Sequence, residues 1–142
     1  MFYDRKQNLM SLLYSNHQES VIVKLINNYL ANNPITGYIV FQVFQESQTQ
    51  GRQPIPNARI TLSKYLGEGY FISQIIMTNS DGKTDPIPLP TPGNNNGYAT
   101  YNARIEAPDF LTTEIIDFKV FDEITGNQAV ILQPKEGNEV QI

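Results

Sequence analysis

The triplet Asn32-Asn33-Pro34 divides the chain into two hydrophobic periods, and that division limits what it can fold into. Before it, Ile22, Leu25, Ile26, Tyr29 and Leu30 recur at the spacing of one helical face. Ser15 or Asn16 is expected to cap this helix, with Gln18 or Glu19 three positions later completing a capping box. Leu9, Met10, Leu12 and Leu13 suggest a shorter helical turn upstream. The β-branched run Val21 to Val23 supports a rival strand at "SVIVKLI". The helix is the favoured reading, because Asn and Pro stop it where the spacing ends.

After Pro34 the period falls to two. "TGYIVFQVFQ", "NARITLSKYL", "YFISQIIMT", "TDPIPLP", "GYATYNARIEA", "TEIIDFKVF" and "QAVILQP" read as seven strands with turn signals between them. Alternating Pro86, Pro88 and Pro90 make the fourth an edge strand or no strand. "ESQTQGRQPIP" reads as a polar loop. The expected fold is mainly β: a seven-stranded Greek-key sandwich, Ig-like or transthyretin-like, with an N-terminal α-helical arm. The arm covers 1–34, the sandwich 35–134 and a polar tail 135–142. At 142 residues, one domain with a real core is the expectation.

The four signatures "PIPNARITLSK", "TNSDGKTDPIPLP", "YATYNARIEAPDF" and "VFDEITGNQAVILQP" resemble those of carboxypeptidase-regulatory-like and transthyretin-like β-sandwiches. The nearest variant is similar to the repeated sandwich domain of clostridial spore cortex-lytic enzymes and related Firmicute proteins. The family name does not imply peptidase activity. In those proteins the sandwich accompanies a separate catalytic domain, for which no sequence remains here.

Composition and chemistry point the same way. Net charge is −4 with a pI near 4.9, and the ten Lys and Arg are scattered, so nothing supports nucleic-acid binding. There is no cysteine, and His17 is the single histidine. A catalytic dyad or zinc site has no convergent ligands, and no cofactor or metal is expected. Asn79, Asp81 and Asp85 are spaced a little like a calcium loop but lack the bidentate Glu. Lys64 invites comparison with the Lys–Asn crosslinks of related surface sandwiches, yet the last strand offers only Gln128 and Gln133. It reads as a solvent-facing lysine. The acids of "FDEIT" and "KEGNE" read as solvated ends. "TPGNNNG" reads as a connection or the tip of a contact surface, with no ligand indicated for residues 93–97.

The expected function is therefore a non-enzymatic structural or adaptor subunit of a bacterial particle. A phage tail, a phage-tail-like bacteriocin or a spore-associated layer would fit. Partners are protein subunits, including other copies of itself, met through Leu12, Leu13, Ile22, Leu25, Ile26, Tyr29 and Leu30. With no secretory signal and no apolar run of membrane-spanning length, the chain is expected to be made in the cytoplasm. The alternative is a peptidoglycan- or glycan-binding module using Tyr65, Tyr70, Phe71, Tyr98 and Tyr101, although alternating core positions account for most of these.

Overall fold

The structure, a computed structural model, describes residues 20–94 and 97–135. Among them one helix, α1 (Val21–Asn32), precedes eight strands: β1 (Ile35–Ser47), β2 (Gly51–Pro54), β3 (Arg59–Gly67), β4 (Tyr70–Met77), β5 (Ile87–Thr91), β6 (Tyr98–Glu106), β7 (Thr113–Phe121) and β8 (Thr125–Ile131). The strand rival at "SVIVKLI" is thus settled in favour of helix. The cap differs from expectation. Ser20, in extended conformation, accepts the N–H of Val23 at 3.4 Å, so the helix begins five residues later than a Ser15 cap would place it. At the other end Asn33 donates its side chain to the carbonyl of Tyr29 at 2.9 Å, and Pro34 ends the helix. Leu12, Leu13, His17 and the capping-box positions lie outside the described residues, as does the tail beyond Lys135.

The strands form two four-stranded sheets. In the first, β1 is central. Its residues 38–44 pair in parallel with β8, and its other edge pairs antiparallel with β5 at one end and β2 at the other. The second sheet runs in the order β4-β3-β6-β7, all antiparallel. One apolar cluster lies between the sheets: Ile39, Phe41 and Val43 from β1 face Ile60 and Leu62 from β3, Tyr101, Ala103 and Ile105 from β6, and Phe118 and Val120 from β7. The alternation seen in sequence is this inward parity.

The described residues hold one strand more than the seven expected. "GRQP", read as loop, is β2. It folds back on the end of β1, with Gly51 opposite Ser47 and Pro54 opposite Phe44. Backbone pairing and a Ser47 hydroxyl that accepts the N–H groups of Thr49 and Gln50 hold it. No side-chain period announces such a strand. β5 is an edge strand, as its prolines required: with Pro88 and Pro90 on one parity, the N–H groups of Ile87, Leu89 and Thr91 remain for β1.

The crossing from β4 to β5 is the turn at 78–84. Thr78 and Thr84 are buried on either side of it. The Thr78 hydroxyl donates to the Ile55 carbonyl (2.7 Å) and accepts from the Ala58 N–H (2.8 Å), while the Thr84 hydroxyl accepts from the Phe41 N–H at 3.0 Å. Between them Gly82 has φ +73 and gives its carbonyl to the N–H of Val43 at 2.7 Å. A Cβ at Gly82 would stand 2.6 Å from the Val43 carbonyl and 3.0 Å from the Ile55 nitrogen. Both neighbours are backbone and cannot swing aside. We expect Gly82→Val to lower stability by at least about 2 kcal/mol, measured by urea unfolding. An unchanged midpoint would show that the turn is not held as described.

Candidate functional site

Among the described residues, Asn79, Lys64 and Asp122 are committed to contacts within the chain. Asn79 Oδ1 accepts the N–H groups of Asp81 (2.9 Å) and Lys83 (3.1 Å), so the calcium-like stretch is a self-satisfied Asx turn. Among the described residues, no three acidic, His or Cys side chains converge as a metal site would need. Lys64 is not solvent-facing. It is half-buried on the core side of β3, where its ammonium donates to the Thr100 carbonyl at 2.9 Å and lies 5.8 and 5.7 Å from the ring centres of Tyr29 and Tyr101. Burial pulls its pKa below the ordinary lysine value, and the negative charge of Asp117 opposes that shift.

The same two tyrosines join the helix to the sandwich. Tyr29 donates its hydroxyl to that of Tyr101 at 2.6 Å, and Tyr101 passes its own to the Pro90 carbonyl. Tyr101, a candidate sugar platform by sequence, is 1% exposed and belongs to the core. The helical face expected to meet partners is largely turned inward: Ile26 and Leu30 are buried within the chain, with Val23, while Ile22, Leu25 and Tyr29 are half-buried. Replacing Tyr101 with Phe removes the link in both directions, and we expect a loss of about 1–3 kcal/mol in chemical unfolding. Tyr29→Phe should lose less, because Tyr101 keeps its bond to Pro90.

The asparagine-rich connection is tied down by Asp122, a residue read as a solvated end. Asp122 Oδ1 accepts the Gly93 N–H at 3.0 Å, and the Asp122 N–H donates to the Gly97 carbonyl at 3.0 Å. Gly93 sits at φ +81 against Ile35. The Thr91 hydroxyl beside the carboxylate contributes most to holding Asp122 below the usual carboxylate range; desolvation opposes it, and the N–H groups of Gly93, Asn94 and Gly97 add to the lowering. A depressed folded pKa gives stability that is complete above the unfolded value near 4 and vanishes as pH falls through the lower folded value. Asp122→Asn should therefore melt below the wild type at pH 7, and the gap should close as pH drops below about 4. A gap that persists unchanged into acid would assign the loss to packing instead.

Among the described residues, the solvent face of the β4-β3-β6-β7 sheet displays several exposed apolar side chains. Tyr65 and Phe71 pair across β3 and β4 with ring centres 4.9 Å apart. Tyr98 and Phe121 pair across β6 and β7 at 5.5 Å, and Lys119 stands 4.7 Å over the Tyr98 ring. Along β4, Ile75 and Met77 are each 50% exposed and Phe71 is 60% exposed. Tyr70 is exposed at the hairpin end. No family model matches the chain, and no curated protein matches it. The face is thus defined by its own residues. Phe121, Ile75 and Met77 were missed by sequence, although "YFISQIIM" carries the signal: it is apolar on both parities and has no charge.

Proposed function

We propose that the chain is a non-enzymatic structural or adaptor subunit of a larger protein assembly, meeting its neighbours through the solvent face of the β4-β3-β6-β7 sheet. The observation that carries this reading is the exposure of Tyr65 and Phe71, and two rows away of Ile75 and Met77, on the solvent face of one strand pair, where a solvated sheet face is ordinarily polar. The helix supports it from the other side, since its buried face contributes to cohesion within the chain. The strand order, with crossings between sheets after β2, β4, β5 and β7, is compatible with the Greek-key sandwich that the sequence signatures resemble. On that resemblance, the assembly we favour is a bacterial particle of the phage-tail or spore-layer kind.

A glycan-binding module is the second reading, favoured by the Tyr65–Phe71 and Tyr98–Phe121 pairs with Lys119 above Tyr98. Sedimentation separates the two. In lysates of the cells that make it, the chain is expected in a high-mass fraction, and Phe71→Asp should move it to the soluble fraction without lowering its melting temperature. Saturable pelleting with insoluble peptidoglycan, abolished by Tyr98→Ala and unaffected by Phe71→Asp, would replace the assembly reading with the glycan one.

A further inference from the structure

Strand β4 ends its sheet, and among the described residues nothing pairs with its outer edge. The ladder parity shows which groups wait there. Thr78 donates its N–H to the Ala58 carbonyl, so Thr78 turns its backbone towards β3. By the alternation of an antiparallel ladder, Ile76, Gln74 and Ile72 do the same. Phe71, Ser73, Ile75 and Met77 therefore point their N–H and C=O groups outward.

Edges of this kind are normally blunted by a charge, a proline or a bulge. β4 has no charged residue and no proline, and its one register irregularity lies at the hairpin end, between Tyr65 and Gly67 of β3. At its middle is a second anomaly. Gln74 is half-buried, and its Oε1 is sealed from solvent with no hydrogen-bond partner. A buried amide oxygen without a donor keeps its desolvation penalty with nothing to offset it, which marks the position as incomplete.

We propose that β4 pairs antiparallel with β4 of a second copy, about a two-fold axis through Gln74, joining two four-stranded sheets into one of eight. The inference rests on the assembly reading of this sheet and names its first partner. On the axis Gln74 opposes its own counterpart in a non-hydrogen-bonded site, where facing side chains come closest. A primary amide is its own complement: once each Gln74 side chain turns to the seam from the sealed position it holds in the single chain, each Nε2–H donates to the other's Oε1, and both orphaned oxygens are satisfied at once. Phe71 then stands opposite the second copy's Met77, and Ser73 opposite its Ile75, with their outward backbone groups forming the ladder. On the solvent face, the row Arg59–Met77 continues into the second copy's Phe71 and Tyr65, so apolar Met77 meets an aromatic ring at the seam. A shift of the axis to Ser73 or Ile75 keeps the ladder but sets Gln74 against isoleucine. A shift by one residue turns the wrong backbone groups to the seam. A foreign strand could occupy the edge, but the self-complementary amide and the absence of charge favour an identical one.

Analytical ultracentrifugation of the purified full chain tests this, with amide exchange followed by NMR. The mass is expected to double with a dissociation constant in the micromolar range, roughly 10–100 µM, suited to a small interface. In the dimer the amides of Ser73 and Ile75 should be protected. Gln74→Glu places two carboxylates across the axis and should weaken association at least about tenfold at pH 7, with recovery near pH 4 as they protonate. Ser73→Pro deletes an outward donor and leaves the β3 ladder intact, so it should abolish the dimer while circular dichroism stays native. A wild-type chain that is monomeric at about 1 mM, or a dimer that survives Ser73→Pro with Ser73 and Ile75 exchanging freely, overturns the pairing. If a monomeric wild type still sediments in the high-mass fraction, the dimer alone falls and the assembly reading stands.

Discussion

One edge of β1 is paired with β8 along residues 38–44, and the other is taken in succession by β5, Thr84, Gly82 and β2. A strand at the centre of a sheet must satisfy its backbone on both sides, because unpaired N–H and C=O groups are unfavourable away from water. Here the second side is assembled from separate pieces of chain. That is why the turn at 78–84 matters beyond its length. It supplies the pairing between β5 and β2, and only a residue without Cβ brings its carbonyl to Val43 while another backbone lies 3.0 Å away.

Two polar contacts beside the end of β5 fasten elements far apart in sequence. At one, Tyr29 and Tyr101 link α1, β6 and the carbonyl of Pro90, with Lys64 over both rings. At the other crossing, Asp122 gathers the N–H groups of the connection before β6. Both solve the same problem: an apolar core has no preference for where its covering segments stop, and directional bonds supply it. They also explain why the titratable groups with shifted pKa values are structural here, since each charge is enclosed by groups of the same chain.

The sequence made the period change at Pro34, the helix and the inward parity of β1, β3 and β6 legible, because burial on one face imposes a pattern that side chains must follow. It left β2 hidden, since that strand is held by backbone bonds and carries no apolar face. The cap at Ser20 was missed because a stronger-looking capping box lay upstream. Lys64 and Asp122 were misread for a common reason: charge suggests water, while their surroundings, a pair of rings and a row of N–H groups, are built by residues between 29 and 101 that no local window contains. The apolar outer face of β4 was present in "YFISQIIM" all along, but both of its parities were absorbed into the expectation of a core.

The parallel pairing of β1 with β8 closes a separation of nearly 90 residues, from Tyr38 to Thr125. Contacts of such range are slow to form, because the intervening chain must be ordered before they reward it. During synthesis at about 5–20 residues per second, β1 emerges several seconds before its partner exists. The nascent molecule therefore carries β1, whose Phe41 and Val43 are fully buried in the finished fold, with one side unmatched until β8 leaves the ribosome. The interval in which the chain is vulnerable to the wrong neighbour is set by translation, and any halt after β7 prolongs it.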